Sequence, residues 1–238
     1  MLRTIVLVGF LLVLSNTFAF EIPMATTPPT IDGDPGDPSW AHAEWRTIDQ
    51  LILGEQPSKD DFSGRYKLLW TENQLYMLAE IIDDVLIDKH ASPLNNYWED
   101  DALEILIDED ASGGDHLKNF NAFAYHIALD NQAVDINREG EPELLNDHVE
   151  SLWKRDPDTG KVIWEIALAL YDDDYHPSSL PLKLSENKEI GIMIAYCDAD
   201  DLSGRQNFLT SYDIKAVDGS KNRAYIDADV FEKARLIK

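Results

Sequence analysis

Residues 97–108 read Tyr-Trp-Glu-Asp-Asp-Ala-Leu-Glu-Ile-Leu-Ile-Asp, and their alternation leaves the chain little freedom there. Leu103, Ile105 and Ile107 recur at period two, with Ala102, Glu104, Leu106 and Asp108 between them. A helix would turn Ile105 to the side opposite Leu103 and Ile107. A strand gathers them on one buried face and turns Glu104 to the other. Trp98 stands at the mouth of that strand, inside a dense acidic run. A carboxylate beside an aromatic ring in such a setting suits a sugar or a metal ion.

The same pattern recurs along the sequence. Residues 65–70 and 75–82 predict a hairpin across Thr71-Glu72-Asn73-Gln74, and 151–154 with 161–170 flank the turn sequence Asp156-Pro157-Asp158-Thr159-Gly160. Further strands are expected over 101–108, 122–129, 133–136, 190–197, 208–212 and 231–237. Residues 23–38, rich in Pro, Gly, Asp and Thr, read as an extended lead-in. Trp40, Ala41 and Ala43 then open one helical turn expected to plug an end of the domain. Short strands with frequent turn signals predict an all-β fold, an antiparallel β-sandwich of jelly-roll type with a short N-terminal lead-in.

Arg3, the apolar run 5–14 and Thr17-Phe18-Ala19 have the form of a secretory signal peptide cleaved after Ala19. Residues 20–238 are then a single domain, expected in the periplasm or outside the cell. The apolar run is short for a membrane span, and no other segment approaches it. Cys197 is the only cysteine, so no internal disulfide can form. Asp and Glu number 45 against 20 Lys and Arg, a formal charge of −25, which repels nucleic acid and anionic membrane surfaces. Two uses of this acid remain open: a solvated surface, or carboxylates that hold Ca²⁺. A monomer is expected.

Ile31-Asp32-Gly33 with Trp40 downstream, the stretch Leu69-Trp70-Thr71-Glu72-Asn73-Gln74-Leu75-Tyr76, and Ile82-Asp83-Asp84 follow one another in order. Residues 98–108, Asp198-Ala199-Asp200 and the closing 231–238 complete the series. In these the chain resembles a family 9 carbohydrate-binding module over nearly all of 20–238. The resemblance implies a β-sandwich that binds poly- or oligosaccharide of glucan or xylan type, with structural calcium and a link to carbohydrate catabolism. Modules of this kind are appended to xylanases, whereas here one is expected to stand alone behind the leader.

The resemblance also implies roles for residues. Trp98 offers its ring face to a sugar, and the second aromatic falls at Tyr212 where the family has tryptophan. Glu104 accepts hydrogen bonds from vicinal hydroxyls. A basic side chain from the strand of Tyr125 and His126 reaches a further hydroxyl, with the alignment open by one residue, a slip that flips the face. Arg205, with Gln206 and Asn207, offers donors from the loop before Tyr212.

Candidate Ca²⁺ ligands are Asp83, Asp84, Asp100 and Asp101, at loop ends that the first hairpin brings together. Asp198 and Asp200, with Asp201, form a second group. Plainer readings stand beside these: Trp98 as a loop-end core residue, Glu104 as a solvated strand residue, the acids as surface charge. A glycoside hydrolase or hydrolase-associated protein is an alternative, although no pair of carboxylates is marked for it. A haem-binding sandwich using Met77, Met193 and His126 is another. The tyrosine at position 212 leaves room for a sandwich that has lost sugar binding.

Overall fold

The alternation at 102–108 becomes a strand at the centre of a large sheet. The computed structural model describes residues 20–238, so the expected leader over 1–19 lies outside the described residues. In chain order the strands are β1 (Phe20–Pro23), β2 (Arg46–Ile48), β3 (Gln50–Leu53), β4 (Phe62–Trp70), β5 (Leu75–Asp83), β6 (Ala102–Asp108) and β7 (Phe123–Ala128). They continue as β8 (Ala133–Ile136), β9 (Pro142–Leu144), β10 (Val149–Arg155), β11 (Val162–Leu168), β12 (Glu189–Asp198), β13 (Asn207–Thr210) and β14 (Glu232–Ile237). One sheet runs β1-β14-β12-β6-β7-β8-β9, with β13 added on β12 and β3 on β13; the other runs β10-β11-β5-β4-β2. The two pack as a sandwich. The pairing is antiparallel except for β1 with β14, which is parallel. β1, β2, β3 and β9 are short strands that the alternation did not reveal.

Leu103, Ile105 and Ile107 face inward as expected. They meet Phe123, Tyr125 and Ile127 of β7 and Ile192, Ile194 and Tyr196 of β12. The facing sheet contributes Met77, Ala79 and Ile81 from β5 and Trp164, Ile166 and Leu168 from β11 to the same core.

Each sheet also carries a second apolar layer on its outer face. On the five-stranded sheet, Ala25, Trp40 and Ala43 of the lead-in cover Leu69, Tyr76, Leu78, Ile163 and Ala167. Trp40 does sit in one short helical turn, Pro38–His42, but it roofs a sheet face and does not plug an end. Its placement is fixed by Glu165, a buried acid on the outward side of β11. That carboxylate accepts hydrogen bonds from Asp32 N at 3.0 Å, Gly33 N at 2.9 Å and Trp40 Nε1 at 2.9 Å. Gly33 has φ +70, a conformation that suits glycine. Glu165→Ala strands two buried donors, Gly33 N and Trp40 Nε1, together with the part-buried Asp32 N. Each unpaired group costs about 1–3 kcal/mol, so a loss of about 4 kcal/mol in urea unfolding is expected. A loss below about 1 kcal/mol would show that the lead-in is not pinned this way.

On the nine-stranded sheet, the outward residues Ala102, Leu106, Ala124, Met193, Ala195 and Cys197 lie under Ile214, Ala224, Ala228 and Phe231. These last four come from an irregular segment between β13 and β14. Three alanines on the sheet surface leave depth beneath this cover, and the candidate site opens at its margin.

Candidate functional site

Cross-strand register assembles the floor of the site. Glu104 on β6 lies opposite His126 on β7 and Ala195 on β12, and Cys197 is two residues beyond Ala195. Side chains two apart on a strand share a face, so Glu104, His126 and Cys197 all point outward from the sheet. Glu104 Oε1 lies 2.8 Å from His126 Nε2, and Cys197 Sγ donates to the same oxygen at 2.9 Å. Arg205 enters from the loop before β13. Its Nη1 donates to Cys197 Sγ at 3.1 Å, and its guanidinium lies 4.6 Å above the centre of the Phe208 ring.

Glu104 is buried. Burial alone would raise its pKa, but the His126 imidazole, the hydrogen bond to it and the Arg205 guanidinium outweigh that penalty and hold the carboxyl below its ordinary value. Glu104 is therefore an ionised acceptor at neutral pH, held by a shell of donors.

A pocket of about 320 Å³ opens over this floor, lined chiefly by Trp98, Glu104, His126, Arg205, Asn222 and Tyr225. Trp98 sits in the short helical turn Tyr97–Glu99, entered through Asn96 in the left-handed region at φ 49. Tyr97 is buried and meets both neighbours edge-on, Trp98 at 5.1 Å and His126 at 4.7 Å between ring centres. The indole thus remains 41% exposed on a fixed support, and Tyr225 lines the same pocket at 47% exposure. Hollows of about 520 and 370 Å³ exist elsewhere, yet neither sets an exposed aromatic ring beside a buried ionised carboxylate.

Trp98, Glu104, His126 and Arg205 line one pocket, but two of the residues named with them do not join them. Tyr125 is fully buried between the sheets, its ring stacked on Phe123 and its hydroxyl 2.8 Å from His148 Nδ1. The register resolves the one-residue ambiguity: Ile105 opposes Tyr125 and Glu104 opposes His126, so only His126 shares the Glu104 face. Tyr212 is 42% exposed but does not line the pocket; Tyr225 stands there instead. Met77 is packed between the sheets and Met193 under the cover segment, so neither thioether joins His126 in the pocket to ligate haem.

The acidic residues group at one end of the sandwich, where β5, β6 and β12 end or begin. Asp83, Asp101 and Asp198 are buried, with carboxylate oxygens within 4.8 Å of one another; Asp61, Asp198 and Asp200 form a second such group. Asp83 accepts from Tyr196 OH at 2.7 Å, and Asp101 accepts from Ile87 N at 2.5 Å and Ala199 N at 2.7 Å. Burial and mutual repulsion push Asp83 up to about 7, Asp101 to about 8 and Asp198 to about 6. Asp198 Oδ1 and Asp200 Oδ1 are buried with no hydrogen-bond partner among the described residues. Burial, then the charges of Asp61 and Asp84, raise the pKa of Asp200. Asp100 does a different job: its carboxylate accepts from Lys89 N and His90 N and ties down the loop before Trp98. The sequence reading missed Asp61, Asn222 and Tyr225.

The sequence pattern described as "Carbohydrate family 9 binding domain-like" matches residues 31–238. The chain belongs to this carbohydrate-binding family. Over 104 residues, 44% of this chain, it is 34% identical to endo-1,4-beta-xylanase C of Paenibacillus barcinonensis. Over 81 residues, 34% of this chain, it is 35% identical to endo-1,4-beta-xylanase A of Thermotoga maritima. These matches span only 9% and 7% of the xylanases' own lengths. A family 9 module from Caldicellulosiruptor kristjanssonii, solved in complex with cellotriose, superposes with TM-score 0.66 at 20% identity, covering 91% of this chain and 93% of that one. A putative carbohydrate-binding protein from Bacteroides uniformis gives TM-score 0.58 at 9% identity, with 92% and 97% covered. These likenesses establish the β-sandwich fold. Among the described residues, no helix is long and apolar enough to cross a membrane.

Proposed function

We propose that this domain holds a neutral oligosaccharide of glucan or xylan type in the Trp98–Tyr225 pocket. The reading rests on one observation: two exposed aromatic rings line a pocket whose floor carries a buried, ionised carboxylate. Sugar rings lay their C–H patches on aromatic faces, burying apolar area against the ring's negative quadrupole. Glu104 accepts from sugar hydroxyls, and its charge strengthens those bonds. His126, Arg205 and Asn222 are polar groups on the same pocket wall. The signal-like residues 1–19 support export, and the xylanase relatives support a role in polysaccharide breakdown.

Calcium is the proposed structural cofactor, held by Asp83, Asp101 and Asp198 with Asp61, Asp84 and Asp200 around them. The two unpartnered carboxylate oxygens and the raised pKa values fit a site whose charge a cation would neutralise. Bound there, the ion supplies charge balance where β5, β6 and β12 meet, below the loop that carries Trp98.

Calorimetric titration with cello- and xylo-oligosaccharides tests the reading, and one saturable site is expected. Silence toward every neutral glycan on a broad array, with calcium and with EDTA, would defeat it. Tyr225→Ala is expected to weaken binding at least tenfold, whereas Tyr212→Ala changes it less than twofold. The reverse order would return the second aromatic to position 212.

A further inference from the structure

We propose that Glu104, His126 and Cys197 form a binding site for a thiophilic divalent cation of the Zn²⁺ class. Their three candidate donor atoms already lie within 4.8 Å of one another. Tetrahedral zinc, with bonds of about 2.0 Å to N or O and 2.3 Å to S, sets its ligand atoms about 3.3–3.6 Å apart. The observed 2.8 Å from Glu104 Oε1 to His126 Nε2 and 2.9 Å to Cys197 Sγ need only a small opening to admit the ion.

The donor set separates this site from the acidic cluster. Calcium takes hard oxygen ligands in high number. A thiolate, an imidazole and a carboxylate together suit zinc or its spectroscopic substitute cobalt. Three protein ligands leave a fourth position, available to water or a hydroxyl, and two of the three, Glu104 and His126, line the pocket. The flanking residues Ala102 and Ala195 are small, so nothing bulky on the sheet fills the space between the ligands.

Arg205 would seem an obstacle, being a cation beside the sulfur. Its Nη1, however, already donates to Cys197 Sγ, and a donor to a ligating sulfur is the usual second partner of a metal thiolate. On binding, the S–H bond breaks and its proton leaves to solvent, His126 gives up the proton that Nε2 holds toward Glu104 and carries its ring proton on Nδ1, 3.2 Å from Ala124 O, and the metal–sulfur and metal–nitrogen bonds form; nothing is oxidised. Two anionic ligands then balance the ion's charge. The inference stands without the sugar reading, because its signal comes from the metal itself.

The test uses the whole chain, chelator-treated and returned to excess Ca²⁺ in degassed buffer, then titrated with Co²⁺. Cys197 is the chain's sole cysteine, so a thiolate-to-cobalt charge-transfer band reports this site alone. One equivalent of Co²⁺ is expected to saturate the band, and one equivalent of Zn²⁺ to abolish it. Cys197→Ala should remove the band, and His126→Gln should weaken Co²⁺ affinity at least tenfold, each with a cooperative melt that shows it folded. Absence of the band at millimolar Co²⁺ overturns the proposal. So does a band of unchanged affinity in His126→Gln, an arm that decides even if Cys197→Ala fails to fold.

Discussion

Trp98→Ala is expected to lower affinity for a cello-oligosaccharide about a hundredfold while leaving Tm within about 2 °C of the parent. An indole that covers one face of a sugar removes on the order of 100 Å² of apolar surface from water. At about 25 cal/mol per Å² this is roughly 2.5 kcal/mol, close to two decades of affinity. The side chain is 41% exposed and absent from the buried clusters, so little packing is lost with it. Glu104→Gln should also weaken binding, but by a different route. It removes the ionised acceptor and weakens the contact with His126 in one step. Because Glu104 is buried, its melt must be measured beside its affinity, whereas Trp98→Ala needs only the affinity.

Removal of calcium should also lower the stability of the fold. At a hundredfold excess over Kd, a ligand bound only by the folded state adds about 2.7 kcal/mol, which for a domain of this size is roughly 5–10 °C in Tm. EDTA is expected to cost that much. The pH dependence should change as well. Asp83, Asp101 and Asp198 have folded pKa values raised to about 7, 8 and 6, above an unfolded value near 3.8. A raised carboxyl binds its proton more tightly when folded, so stability falls as pH rises from the unfolded value through the folded one. In EDTA, therefore, the protein should melt higher at pH 6 than at pH 8. Calcium removes the penalty on ionisation, and that slope should flatten. Equal melting curves with and without EDTA at pH 8 would show that the cluster holds no ion.

Much of this arrangement was legible before any coordinates. Strict alternation at 102–108 fixed which residues of β6 face the core, and so placed Glu104 outside it with Trp98 nearby. The hairpins at 65–82 and 151–170 were marked by their turn sequences. The pairing of strands far apart in sequence was not marked. Whether Tyr125 or His126 shared the Glu104 face depended on a register that one sequence leaves free, and cross-strand pairing alone decided it. Tyr225 and Asn222 lie in an irregular segment with no periodicity, and nothing local says that it folds back over the nine-stranded sheet. Tyr212, which the family resemblance singled out, sits at the other end of the same segment. Glu165 was not singled out in the sequence, because its three partners lie more than a hundred residues away. The acids followed the same logic: their types were readable, but only the meeting of three strand ends showed which of them share a centre.

The central claim is that a sugar rests on Trp98. The protein has six tryptophans, and their indole N–H signals can be followed together in a ¹H–¹⁵N correlation spectrum during titration with cellotriose. The Trp98 signal, identified by its loss in Trp98→Phe, is predicted to move progressively to saturation while those of the buried Trp40, Trp70 and Trp164 stay in place. Saturation of binding with the Trp98 signal unmoved, or with the largest shift at another indole, would contradict it.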